Sequence, residues 1–184
     1  ADIELVKKTY SDPKTDPRRS EITGEVDEPE YTADDFIIDE DNVVIVTRDG
    51  WVKRQKEVKD VASTRVREGD QVLAVLPGST RASVVFFTNL GVAYTSRIID
   101  IPASTGHGEP IQRFFKFKDG ERIVGSVSLD PRVVGVITSK NAETAPPSHA
   151  LAVSSDGYSL RFSFEPYAEP STRSGRRYAR AADG

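Results

Sequence analysis

Four strand formers (Val43, Val44, Ile45, Val46) lead through Thr47-Arg48-Asp49-Gly50 into a second extended run, Trp51-Val52-Lys53-Arg54. The figure returns as Val84-Val85-Phe86-Phe87, Thr88-Asn89-Leu90-Gly91 and Val92-Ala93-Tyr94. It returns again as Ala150-Leu151-Ala152-Val153, Ser154-Ser155-Asp156-Gly157 and Tyr158-Ser159-Leu160-Arg161. Each copy places a hydroxyl residue (Thr47, Thr88, Ser154) three positions before the glycine. Apolar runs on either side of a turn glycine predict β-hairpins, because glycine accepts the positive φ such turns require. Residues 43–46 and 84–87 are apolar throughout, which suits strands covered on both faces. Residues 159–164 instead alternate, Leu160, Phe162 and Phe164 against Ser159, Arg161 and Ser163, which predicts one buried and one wet face.

The repeat extends beyond the hairpins. Ser63-Thr64, Ser104-Thr105 and Ser171-Thr172 follow Gly50, Gly91 and Gly157 at nearly the same spacing. A second glycine comes next in Glu68-Gly69-Asp70, Asp119-Gly120-Glu121 and Asp183-Gly184. Apolar runs open after the first two, at Val72-Leu73-Ala74-Val75 and Ile123-Val124-Gly125, and another is expected after the third. The span from Gly91 to Gly120 is longer than that from Gly50 to Gly69, and Gly120 to Gly157 is longer than Gly69 to Gly91. Both surpluses are expected to be insertions in surface loops.

Ahead of the repeats, Ile3, Val6 and Tyr10 fall on one face of a predicted short helix, with Lys7 and Lys8 near its C-terminal end. Asp12-Pro13 and Pro17 stop it. Residues 20–41 are acidic and read as a linker, with Phe36-Ile37-Ile38 its expected docking point. Pro110, Pro131, Pro146, Pro147, Pro166 and Pro170 lie outside the predicted central strands. Short strands, recurrent turns and no helical stretch between them predict a radial or barrel-like all-β repeat.

Charge sharpens this division. Residues 1–42 hold 14 acidic and 5 basic side chains, and residues 43–184 hold 15 acidic and 20 basic. A basic repeat region behind an acidic leader points to an anionic partner or to mutual screening of the two. The sequence contains no cysteine, which excludes disulfides and the usual structural zinc sites. His107 and His149 stand in separate loops and make a poor metal pair. No apolar run approaches the length of a membrane span. The acidic clusters Asp34-Asp35 and Asp39-Glu40-Asp41 lack the fixed spacing of a Mg²⁺ site, and two loop histidines offer no Ser-His-Asp arrangement.

Residues 42–59 with 68–75 carry the pattern V-V-x-x-T-x-x-G-[WY]-V-x-R followed by a G-D-x-V strand. This resembles the C-terminal repeats of the A subunits of bacterial type IIA topoisomerases, DNA gyrase and topoisomerase IV. Ile3-Glu4-Leu5-Val6-Lys7-Lys8-Thr9-Tyr10 with Arg18-Arg19-Ser20-Glu21-Ile22 resembles the coiled-coil exit preceding those repeats. The resemblance implies a β-pinwheel, a propeller-like disc of four-stranded blades, incomplete in this chain. Its parts are expected as follows: residues 1–41, helix end and acidic linker; 42–80, the first blade; 81–148, the second; 149–184, part of a third.

The same resemblance implies DNA bent around a basic rim, where Lys and Arg act through charge and counterion release. Rim candidates are Lys53, Arg54, Lys56, Lys59, Arg65 and Arg67 in the first blade and Arg97 and Arg113 in the second. In the third they are Arg161 and the cluster Arg173, Arg176, Arg177 and Arg180. That cluster loosely resembles the glycine- and arginine-rich box of the gyrase A subunits. The family's box is expected in the first blade, where this chain has Ala62-Ser63-Thr64-Arg65-Val66-Arg67-Glu68 instead. Either the box is relocated or the chain is of topoisomerase IV type. Pairing of the arginines with Glu165 and Glu169 is the alternative reading of the cluster. Arg177-Tyr178 resembles the family's Arg-Tyr cleavage pair, but that pair belongs to an upstream winged-helix domain, so packing is the expected role of Tyr178.

No active site or cofactor is therefore expected in this chain. ATP and Mg²⁺ are expected elsewhere in the assembly. The expected partners, besides duplex DNA, are the remaining domains of the parent polypeptide and the ATP-binding B subunit, joined in an A2B2 enzyme that is cytoplasmic and nucleoid-associated. A propeller-like scaffold binding proteins and no DNA is the competing reading.

Overall fold

The computed structural model describes residues 2–10, 36–134 and 148–180. The chain divides into two units, Ala1–Thr32 and Ala33–Gly184. In the first, helix α1 (Asp2–Tyr10) has Asp2 and Glu4 in its first turn and Lys7 and Lys8 in its last, each complementing the helix dipole. Its Ile3, Val6 and Tyr10 are exposed. The expected stop at Pro13 and Pro17, the Arg18-Arg19 segment and the linker through Asp35 lie outside the described residues. So do most of the 132–148 insert, with Pro146 and Pro147, and Asp183-Gly184.

The second unit is built from short antiparallel strands. Strands β1 (Asp41–Thr47), β2 (Trp51–Gln55) and β3 (Val72–Ser79) belong to the first repeat. Strands β4 (Ser83–Thr88), β5 (Val92–Arg97), β6 (Glu109–Pro110) and β7 (Ile123–Ser128) belong to the second. The third contributes β8 (His149–Val153), β9 (Ser159–Ser163) and β10 (Arg176–Arg177). They form sheets ordered β3-β1-β2-β6 and β10-β5-β4-β7, and a hairpin β8-β9.

The three expected hairpins are present and share one turn. Gly50, Gly91 and Gly157 have φ of 81°, 74° and 86°. Each donates its N–H to the carbonyl of the hydroxyl residue three places back, at 3.1 Å. The hydroxyl itself accepts from the residue after the glycine: Trp51 N to Thr47 Oγ1 at 3.0 Å, Val92 N to Thr88 Oγ1 at 3.4 Å, and Tyr158 N to Ser154 Oγ at 3.2 Å. The recurrent Thr or Ser is thus a side-chain bracket that satisfies the first N–H of the returning strand. Even the register shifts correspond, between Val46 and Thr47 and between Phe87 and Thr88.

Each four-stranded sheet is completed by the repeat that follows it. Pro110 pairs with Trp51 and Glu109 with Val52; Arg177 pairs with Val92 and Arg176 with Ala93. Counted from the turn glycine of the receiving hairpin, these registers are the same. The surplus between Gly91 and Gly120 is therefore not the expected tolerant surface insertion. It includes the arm that lends β6 to the first sheet, and the Arg-rich segment of the third repeat is the corresponding arm seated on the second. Pro110 sits on the edge strand β6, where its missing N–H costs no ladder bond.

Packing follows the pleat. Val44, Val46 and Val52 of the first sheet join Val84, Phe86, Tyr94 and Ile123 of the second in one core, closed by Ile98, Ile101, Ile111 and Phe115. Val85 and Ala93, on the opposite face of the second sheet, pack with Tyr167, Phe87, Phe162 and Tyr178. Residues 84–87 of β4 are apolar throughout because alternate residues enter two different cores. The hairpin β8-β9 departs from the expected alternation. Phe162 packs on Phe87 at 5.5 Å, but Leu160, Leu151, Val153 and Tyr158 are exposed, because only its far end reaches a neighbour among the described residues.

The linker docks at the expected segment. Phe36 and Ile38 are exposed, and the carbonyls of Ile37 and Ile38 tie it to the sheet. Arg81 Nε donates to the Ile37 carbonyl at 2.9 Å and Thr80 Oγ1 to that of Ile38 at 2.6 Å. Asp130, 1% exposed, ties the first sheet to the second by accepting from the Ser79 N–H at 2.7 Å and from the Arg132 guanidinium at 2.8 Å. Those bonds hold its carboxyl well below the usual range, against the opposing effect of burial.

Candidate nucleic-acid interface

The repeat places a basic pair just before each second turn. Arg65 and Arg67 precede Gly69 as Lys116 and Lys118 precede Gly120, at the same offsets, and all four are exposed. Gly69 and Gly120 hold φ of 83° and 74°. The acidic residue after each glycine turns inward. Asp70 Oδ1 accepts from Asp49 N at 3.1 Å and Gln71 N at 2.7 Å. Glu121 accepts from Thr88 Oγ1 at 2.7 Å, Tyr94 OH at 3.1 Å and Lys118 N at 2.8 Å. In each turn one carboxylate, Asp70 or Glu121, is spent on the interior, while the basic pair shares the surface with the exposed Glu68 or Asp119.

Lys116 and Lys118 were not among the residues singled out from the sequence. The offset they share with Arg65 and Arg67 was the signal that would have found them.

The arm of the third repeat adds to this edge. Arg173 donates from Nε to the Phe114 carbonyl at 3.2 Å and from Nη2 to that of Arg113 at 3.1 Å, while Lys116 N donates to the Arg173 carbonyl at 2.7 Å. Arg176 Nη1 donates to the Pro166 carbonyl. Among the described residues these arginines form no ion pair with Glu165 or Glu169; carbonyl oxygens hold them, which leaves their charge uncompensated. The backbone here is anchored, not flexible, since Arg176 and Arg177 complete the second sheet. Tyr178 is a packing residue: its ring lies 5.1 Å from Phe87 and its hydroxyl donates to the Thr88 carbonyl at 2.8 Å.

Lys116, Lys118 and Arg177 together line a cleft of about 510 Å³ floored by Val92, Tyr94 and Phe117, with no carboxylate in its walls. A separate cleft of the first repeat is mixed in sign, with Lys59 and Arg65 beside Glu57 and Asp60. The arm seated on the first sheet carries Gly106, Glu109 and Pro110 where the other has Arg173, Arg176 and Arg177. Positive charge therefore concentrates on the second sheet.

The remaining sequence candidates are spread more widely. Lys53 is not on the rim: it is 1% exposed, with Nζ donating to the carbonyls of Arg65 at 2.6 Å and Gly106 at 2.7 Å. Burial, followed by the nearby Arg65 charge, lowers its pKa. Arg54 is half-buried and structural, bound to the Ile101 carbonyl at 3.1 Å and to Asn42 Oδ1 at 3.1 Å. Lys56 is exposed and 3.6 Å from Glu40; Arg113 pairs with Glu109 at 2.8 Å. Arg67 lies over the Trp51 ring at 4.8 Å, a cation–π contact that fixes its direction. Lys59 is exposed, as are Arg161 in the middle of β9 and Arg180 at the end of the arm, while Arg97 closes β5 half-buried. Among the described residues no cluster of three metal-ligating side chains occurs, and no helix is long and apolar enough to cross a membrane.

The family described as DNA gyrase C-terminal domain, beta-propeller, matches residues 82–129, which is the second repeat from β4 through β7. The gyrase A protein of Thermotoga maritima is 30% identical over 127 residues, 62% of this chain and 15% of the relative. The C-terminal domain of a DNA topoisomerase IV superposes with a TM-score of 0.60 at 20% identity, over 77% of this chain and 42% of that one. That of E. coli ParC gives 0.58 at 20% identity, over 74% and 50%. The chain spans about 15% of the length of the curated relative and up to half of the solved domains. By sequence and by fold, this chain is a β-pinwheel relative of the C-terminal domains of the A subunits of the type IIA topoisomerases DNA gyrase and topoisomerase IV.

Proposed function

We propose that residues 42–184 bind and bend duplex DNA along the edge that carries Arg65, Arg67, Lys116, Lys118, Arg173, Arg176 and Arg177. The carrying observation is the repeated basic pair, reinforced on the second sheet by an arm whose arginines are held on carbonyl oxygens and not neutralised by carboxylates. Such groups attract phosphates irrespective of base sequence, and counterion release supplies the free energy. In the parent polypeptide this edge captures and curves DNA. Strand passage, ATP use and Mg²⁺ chemistry belong to other domains and to the B subunit of an A2B2 enzyme acting at the nucleoid. Residues 1–41 serve as the connection to the rest of that polypeptide.

The scaffold reading has one observation of its own, the exposed apolar residues Leu151, Val153, Tyr158 and Leu160 on the third hairpin. Binding of a long duplex over a salt series separates the two. A phosphate-binding edge loses affinity steeply as salt rises, whereas a protein scaffold shows no DNA binding at any salt concentration.

A further inference from the structure

Lys53 and Tyr94 occupy the same position, the third residue of the second hairpin strand, in successive repeats. Both are 1% exposed. Each places its polar end beside the carbonyl of the first member of the basic pair, although the single Tyr94 proton goes to Glu121. Lys53 Nζ reaches the Arg65 carbonyl at 2.6 Å, and Tyr94 OH is 3.3 Å from that of Lys116. Tyr94 faces the first sheet and stacks on Phe117, with ring centroids 4.8 Å apart. Lys53 instead lies under two loops, and its second bond goes to the Gly106 carbonyl at 2.7 Å. Gly106 belongs to the arm lent by the following repeat, just before Gly108, where that arm crosses the Val52 backbone and the Lys53 Cβ too closely for any side chain. One ammonium thus joins two segments with no covalent reason to move together: the arginine-bearing segment of the first repeat and the exchanged arm of the second.

A buried lysine is costly unless its donors are satisfied. Two carbonyl acceptors take two of the three Lys53 N–H donors, and a methylene stem alone would have filled the space without the desolvation cost. The charge is therefore spent on geometry. We propose that Lys53 is a positioning residue for the basic edge, holding Arg65 and Arg67 outward by clamping their backbone to the seated arm. The proposal rests on the DNA-binding reading above.

The test compares salt slopes of duplex-DNA binding for the full wild-type chain, for Lys53→Met, for the Arg65→Ala/Arg67→Ala pair and for the triple variant. Each lost phosphate contact lowers the magnitude of the slope by about 0.9. Lys53→Met removes one charge that faces no solvent, yet the expected loss of slope approaches that of the arginine pair. The triple variant is expected to lose little more than the pair, which is the non-additivity of groups acting as a unit. A Lys53→Met protein that melts lower but keeps the wild-type slope would overturn the proposal and leave Lys53 a purely structural residue. If Lys53→Met fails to fold, hydrogen exchange on the wild-type chain decides. Saturating DNA should protect residues 63–67 and 104–108 together, and protection of the first alone would overturn the clamp. Absence of wild-type DNA binding would instead refute the parent reading.

Discussion

Gly108 and Gly175 hold one structural position in two successive arms. Each has positive φ, 88° and 67°, and each stands immediately before the strand its arm lends to the preceding hairpin. A Cβ at Gly175 would lie 2.6 Å from Val92 Cγ1 and 2.8 Å from both the Ala93 carbonyl oxygen and Tyr94 Cδ1; one at Gly108 would run into the Val52 carbonyl oxygen. Gly175→Ala is expected to destabilise the fold by about 2–4 kcal/mol, combining left-handed strain with overlap. Gly69→Ala is the control. Its φ is equally positive, but nothing lies within 4 Å of the added atom, so the cost is about 1–2 kcal/mol. Urea denaturation of the two variants reads the difference directly.

Burial and the adjacent Glu121 together set the ionisation of Tyr94. Burial first, and then the Glu121 charge and hydrogen bond, push the Tyr94 phenol above its ordinary value. The folded state therefore keeps a proton that the unfolded chain releases near pH 10, so stability falls as pH rises beyond about 10. Glu121→Gln should bring the Tyr94 titration closer to its ordinary pH and cost about 1–3 kcal/mol at neutral pH by leaving hydroxyl donors worse matched. Ultraviolet titration of the tyrosines, with Tyr94→Phe to assign the signal, checks both points.

Asp130 makes the opposite contribution at acid pH. Its carboxyl is depressed by the Arg132 side-chain bond foremost, and also by the Ser79 and Arg132 N–H groups. A depressed carboxylate stabilises the fold above its unfolded pKa of about 3.9, and that stabilisation is lost as pH falls from there toward the folded value. Asp130→Asn should lower stability at pH 7 and flatten its fall below about pH 4. Equal acid dependence in the two proteins would show that Asp130 does not link the sheets as described.

The hairpins were legible because two local rules agree at each: apolar runs set the strands, and a glycine with a hydroxyl three positions earlier sets the turn. The exchanged arms were not. Glu109-Pro110 and Arg176-Arg177 are very short strands whose partners belong to the preceding repeat, Trp51 and Val52 for the one, Val92 and Ala93 for the other. No local periodicity marks so short a strand. The unequal spacing of the glycines reveals a surplus but not the sheet it joins. Lys53 was misread for a related reason: a lysine between two strand positions carries no sign of which face the neighbouring loops will cover. Lys116 and Lys118 were within reach, since they repeat the offsets of Arg65 and Arg67, but arginine density and not position in the repeat picked out the rim candidates.

Arg176 and Arg177 test the edge without disturbing the sheet. Their backbone groups make the pairing with β5 while their side chains are exposed. Changing both to Ala should leave the melting temperature nearly unchanged and weaken binding to unrelated DNA sequences alike, with the salt slope reduced by up to about 1.8. Unchanged affinity in a fluorescence titration would exclude this arm as a contact.

The most direct test is the salt dependence of wild-type binding to a short duplex and to one several times longer. The predicted result is a linear fall of log affinity with log salt at about 0.9 per phosphate engaged, steeper and starting from higher affinity on the longer duplex. A slope near zero, or equal affinity per site for both lengths, would contradict a basic edge that holds and curves DNA.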